Sequence, residues 1–174
     1  MNSSTFDKQE TFAQIHAFEA AYDYDASYMK DLYERSEKAF SLFNAVRVMA
    51  SYRENLPPEA HFTAAITVMQ EEDCAGCLEL NYKLAREAGV SEETIAALAE
   101  APDTLPPILR DVRQHSKLCI GTESVDEEVA SRIEEHYGKA AFAELAICIV
   151  GVRMYPGIKR ALLKMQSCAV KESK

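Results

Sequence analysis

Apolar positions along the chain recur at spacings of three and four residues, and no segment alternates convincingly with a period of two. Phe12, Ile15, Phe18 and Tyr22 share one face with Glu10 and Gln14 opposite, which predicts a helix from about Ser4-Thr5 to Tyr22. Glu19 falls at the edge of that stripe. After Asp23 or Asp25, either a suitable N-cap, a longer stripe of Met29, Leu32, Tyr33, Phe40, Phe43 and Val46 predicts one extended second helix. Leu56-Pro57-Pro58 stops it, and Pro58 suits the first turn of the next helix. Residues His61 to Met69 are apolar almost throughout and read as buried.

Gln70-Glu71-Glu72-Asp73 interrupts the apolar pattern. Asp73 is placed to cap a helix carrying Cys74, Cys77, Leu78, Leu84 and Ala85, with Gly89 at its C-terminal end. Ser91 to Thr94 opens a short helix with acidic residues in its first turn, and Pro102 and Pro106-Pro107 frame a linker. A helix follows through Ile108, Leu109, Val112, His115, Leu118 and Cys119. Ser124-x-x-Glu127 has the form of a capping box for a helix reaching Tyr137-Gly138. Ala140 to Val152 is the most apolar helix, punctuated by Gly151 and Pro156-Gly157 before a last amphipathic segment through Met165. The expected fold is all-α: one compact domain over residues 1–174, seven to eight helices, with 1–5 and 169–174 frayed.

Composition narrows the function. A chain of 174 residues can bury about 70% of its unfolded surface, so it folds without a disulfide or metal. The net charge of −9 with no basic run argues against nucleic acid as a partner, and against anionic membrane surfaces. Met1 to Ala20 lacks the apolar core of a secretory signal, and the apolar run Leu145 to Val152 is far short of a membrane span. Five cysteines at irregular spacing, at positions 74, 77, 119, 148 and 168, then read as reduced thiols of a cytoplasmic protein.

The chemistry is concentrated in Cys74-x-x-Cys77. Residues i and i+3 of a helix have Cα atoms about 5–6 Å apart, within reach of a disulfide. The unpaired N–H groups of a helix start stabilise a thiolate. Half of a zinc site has the same form, and His115 with Cys119, one turn apart on one face, could complete it. The neighbouring Glu71, Glu72 and Asp73 work against a thiolate: at roughly 7 Å in water each charge costs about 0.6 kcal/mol. The helix terminus returns about 0.3–1 kcal/mol, so the two effects nearly cancel.

The stretch Cys74-Ala75-Gly76-Cys77-Leu78-Glu79-Leu80-Asn81, followed by Ala85-Arg86-Glu87-Ala88-Gly89-Val90-Ser91-Glu92-Glu93, resembles the alkylhydroperoxidase-D-like branch of the carboxymuconolactone decarboxylase superfamily. The resemblance extends over roughly residues 35–165. It implies an oligomeric helical protein, a trimer or hexamer, that reduces peroxides or disulfides. By that resemblance Cys77 attacks the peroxide and Cys74 resolves the product, and an external thiol supplies electrons; no cofactor is implied. The family's relay histidine falls on Asn81, which cannot titrate. Its relay glutamate falls on Phe62, leaving His61 or Glu59 as the candidate base. Lactone decarboxylation fits less well, because a Cys-x-x-Cys pair has no task in it. A zinc-binding domain, or a non-enzymatic oligomer of the same fold that binds a partner, is the alternative. Outside the pair, Cys148 reads as a small buried hydrophobe, Cys168 as incidental, and His16 and His136 as surface residues. Glu144, alone in the most apolar helix, needs a partner such as Arg153 or Lys159.

Overall fold

The computed structural model describes residues 7–164, and among these the chain is all-helical. It forms nine α-helices where seven to eight were expected: α1 (Lys8–Tyr22), α2 (Ser27–Arg35), α3 (Glu37–Val46), α4 (Pro58–Glu71), α5 (Ala75–Glu87), α6 (Glu92–Glu100), α7 (Pro107–Ile120), α8 (Glu127–Tyr137) and α9 (Lys139–Ala161). Short 3-10 turns at Arg47–Ala50 and Pro102–Thr104 complete the set.

The extra helix comes from a break at Ser36. Its backbone is extended and its hydroxyl accepts the Ala39 amide at 3.1 Å, so it closes α2 and caps α3. The apolar stripe hides this break because Tyr33 and Phe40 are seven residues apart and remain on one face. Asp7 caps α1 through the Glu10 amide at 2.8 Å; the start expected at Ser4-Thr5 lies outside the described residues, as do Met165 and Cys168. The capping box at Ser124 does not form. Asp126 caps α8 instead, accepting from Glu128 and Val129.

Helix α4 is the centre of the larger core. Every residue from Ala60 to Met69 is buried, and the helix packs on α5, α7 and α9. Leu98, Val112, Ile133, Leu145 and Cys148 close around it from the surrounding helices. A second cluster, rich in aromatics, joins α1, α2 and α3: Ile15, Tyr24, Tyr28, Met29, Leu32, Tyr33, Phe40 and Phe43. Leu80 of α5 and Met154, Tyr155 and Ile158 of α9 pack against this second cluster, so the two cores meet along α5 and α9.

Helix α9 runs unbroken for 23 residues through both Gly151 and Pro156, contrary to the punctuation expected there. Gly151 serves a close approach. A Cβ at this position would stand 2.6 Å from the Ala50 nitrogen and 2.6 Å from the Met49 carbonyl carbon, so only glycine lets the 3-10 turn lie on the helix. As a continuous helix, α9 is long and apolar enough to cross a membrane, which also corrects the reading of a short apolar run. Its Ala141, Leu145, Cys148, Ile149 and Val152 are nevertheless core residues, and Glu144 and Lys159 are buried with them.

Candidate active site

The turn from α4 into α5 sets up the cysteine pair. Asp73 takes a left-handed conformation at φ 50°, and the Cys74 amide reaches back to the Met69 carbonyl at 3.2 Å. Cys74 itself, not Asp73, is the N-cap residue of α5, and it makes no side-chain cap bond. Cys77 follows in the first turn. The two sulfurs are joined in a disulfide across a Cα–Cα separation of 5.3 Å, and both residues are buried.

Two of the three acids beside the pair, Glu71 and Glu72, are paired with cations. Lys117 holds Glu71 at 3.1 Å, and Glu72 is clamped by Arg153 at 2.6 Å and by Arg160. Arg160 also donates to the Glu72 carbonyl at 3.3 Å. Of the three carboxylates expected to suppress a thiolate, Glu71 and Glu72 are thus matched by cations from α7 and α9, and the helix-start contribution is left less opposed. Sequence reasoning counted the local charges and missed the distant ones.

Cys77, but not Cys74, lines a pocket of about 340 Å³ at the seam between the two cores. Its walls come from Phe18, Tyr24, Tyr28, Met29, Leu80 and Tyr155, with Arg47 as a cation at the edge. Arg47 Nη1 donates to Asn44 Oδ1 at 3.0 Å, while its buried Nε has no partner among the described residues. The Tyr24 hydroxyl lies 3.8 Å from Cys77 Sγ. Asn81 lines the pocket as well, and its Nδ2 donates to the Cys77 carbonyl at 2.8 Å, one helical turn back. The Asn81 amide is therefore committed to backbone.

His61 faces elsewhere. It is buried in the first turn of α4, with its Nε2 3.9 Å from Cys148 Sγ, and it is not among the residues lining the pocket. Burial, with Arg53 beside it, pushes the imidazole down to about 4. Burial pushes the Cys148 thiol up to about 12. Glu59, half-buried, is likewise absent from the lining of the pocket. His115 and Cys119 do meet, at 3.4 Å, but among the described residues no three His, Cys, Asp or Glu side chains converge as metal ligands. The four residues weighed for zinc are thus not gathered together.

Glu144 finds neither Arg153 nor Lys159. Its carboxylate accepts the backbone amides of Glu54 at 3.0 Å, Asn55 at 2.9 Å and Leu56 at 2.8 Å, and Asn55 Nδ2 at 2.6 Å. Burial raises its pKa, but these donors together outweigh burial and hold the carboxyl below its usual value. It ties down the loop entering α4.

These features now meet the comparison with known proteins. Residues 37–105 match the carboxymuconolactone decarboxylase family. The matching segment runs from α3 through α6 and contains the Cys-x-x-Cys pair, so the resemblance read over roughly residues 35–165 holds over 37–105. No curated protein and no solved structure matches the chain. Tyr24 and Tyr28 lie before the matching segment, and Tyr155 and Lys159 lie after it. Tyr24 sits in the turn Asp23–Ala26 and carries no local signal that could have singled it out.

Proposed function

We propose that the chain is a thiol-dependent oxidoreductase in which Cys77 reduces a small peroxide or disulfide and Cys74 resolves the product. The observation that carries this reading is the bridged pair with only its second sulfur facing a pocket. In the peroxide case the Cys77 thiolate attacks the terminal oxygen, the O–O bond breaks, and an alcohol leaves with a sulfenic acid on Cys77. The Cys74 thiolate then displaces hydroxide to close the disulfide, and an external dithiol returns both cysteines to the reduced state. Neutralisation of Glu71 and Glu72 favours the thiolate this chemistry needs.

The reading includes a cytoplasmic, homo-oligomeric protein, in keeping with exposed Leu42, Val48 and Val150 on α3, the following 3-10 turn and α9. The test is mass spectrometry of the reduced chain after peroxide treatment. Loss of about two mass units between Cys74 and Cys77 supports the activity. Thiols that stay reduced at millimolar peroxide and with a small disulfide would exclude it and leave the non-enzymatic oligomer.

A further inference from the structure

The helices that precede the family-matching segment bring a hydroxyl to the reacting sulfur. Tyr24 is buried in the turn between α1 and α2, and its Oη lies 3.8 Å from Cys77 Sγ. That turn is held by side chains from several directions. Asp23 takes a left-handed conformation, and the Tyr24 amide donates to the Glu19 carbonyl at 3.2 Å. Glu19 Oε1 accepts the Ala26 amide at 3.1 Å, while its Oε2 pairs with Lys30 at 2.7 Å. Lys83 of α5 donates to the Tyr22 carbonyl, and Tyr22 donates to Glu87 at 2.8 Å. So α1 is fastened directly to the helix that carries the cysteines, and Tyr24 is fixed against it.

Among the described residues, side chains from α9, α2, α1 and α5 face Tyr24. From α9, the buried Lys159 ammonium stands 4.4 Å from the Tyr24 ring centroid and 5.0 Å from that of Tyr28. From α2, Tyr28 is hydrogen-bonded to Tyr24, and burial holds its phenol well above the ordinary value. From α1, Phe18 meets the ring edge-on at 5.9 Å. From α5 comes Cys77, and Arg47 acts on Tyr28 from the 3-10 turn. A phenol beside a thiolate, backed by a fixed cation, is equipped to give up a proton and tolerate the charge left behind.

We infer that Tyr24 is the proton donor for chemistry at Cys77, replacing the relay that Asn81 cannot provide, and that Lys159 is the positioning residue behind it. This inference rests on the proposed thiol-peroxidase reading. In the step, the Cys77 thiolate takes the terminal oxygen of an alkyl hydroperoxide. The departing alkoxide collects the Tyr24 proton to become the alcohol, and the phenolate lies beside the Lys159 ammonium until solvent returns the proton. Two electrons pass from sulfur to the peroxide bond, and the charge lost by the thiolate resides on the phenolate.

The experiment is stopped-flow oxidation of the reduced full chain by tert-butyl hydroperoxide across pH, for wild type, Tyr24→Phe, Lys159→Met and Lys159→Arg. Tyr24→Phe keeps the ring and its packing. It is expected to lower the second-order rate constant on the order of 10²-fold, with circular dichroism unchanged. Lys159→Met is expected to move the pH at which the rate changes, and Lys159→Arg to restore it; a purely structural lysine would alter stability and leave that pH in place. A Tyr24→Phe protein that reacts within about twofold of wild type at every pH overturns the inference alone. A wild type that never forms the Cys74–Cys77 bridge overturns the proposed function and this inference with it.

Discussion

Two cysteine neighbourhoods in this protein contrast sharply. Cys148 stands 3.9 Å from an imidazole, the pairing that sequence reasoning associates with an activated thiol, yet both partners are buried and neither is accessible to charge. Burial pushes the thiol up to about 12 and the imidazole down to about 4, so at neutral pH the pair is a neutral contact in the core. Cys77 has no histidine. It sits in the first turn of a helix, at the edge of a pocket, with Glu71 and Glu72 held by Lys117, Arg153 and Arg160. The comparison teaches that a cysteine beside a histidine is not by itself an activated thiol when both are buried.

The largest test of that contrast exchanges the two sulfurs' roles. Cys77→Ser is expected to abolish peroxide-driven disulfide formation, whereas Cys148→Ser should leave its rate unchanged, as read by intact mass. Equal losses from both substitutions would erase the distinction drawn between them.

Next in size is the loop that precedes α4. Glu144→Ala removes a buried carboxylate that accepts three backbone amides and a side-chain amide. It is expected to cost about 3 kcal/mol or more, read from the denaturant midpoint. It should also make Cys148 alkylate faster, because the loop preceding α4 loses its anchor.

The depressed imidazole adds a pH signature. The folded state holds His61 near 4, whereas the unfolded chain titrates near 6.5, so between those values the unfolded state binds the extra proton. Stability therefore falls as pH drops from about 6.5 to 4, by roughly 3 kcal/mol in all. His61→Gln should remove most of that dependence while leaving Cys77 oxidation at its wild-type rate. A slower Cys77 in this variant would bring His61 back as the base.

A smaller effect belongs to the helix both neighbourhoods share. Gly151→Ala places a methyl group against the backbone of Met49 and Ala50 and should cost about 1–3 kcal/mol in thermal unfolding experiments. Because Ala50 lines the pocket, the same change should slow Cys77 more than it disturbs Cys148.

Much of this architecture was legible in the pattern of side chains. Spacings of three and four gave the helices, Pro58 and Pro107 stand in the first turns of α4 and α7, and Gly89 follows α5 with positive φ. The break at Ser36 was not seen, although Ser36-Glu37 is itself a cap signal, because the apolar stripe continued across it. Of the candidate site residues, Cys74 and Cys77 are in contact, Asn81 joins them through a backbone bond, and His61 turns to Cys148. A lone carboxylate in the most apolar helix marks Glu144 as needing a partner, and the partners are amides rather than the cations its sequence neighbourhood offers.

The sequence by itself determined the helical class, the position of the cysteine pair at a helix start and the family segment around it. These depend on residues a few positions apart, where local geometry and propensity decide. Only the tertiary structure decided which sulfur meets a pocket, which cations quench Glu71 and Glu72, and that Tyr24 arrives beside Cys77 with Lys159 against its ring. Those contacts join residues far apart in the chain, 53 positions for Tyr24 and Cys77 and 81 for Arg153 and Glu72, and no spacing rule reaches that far.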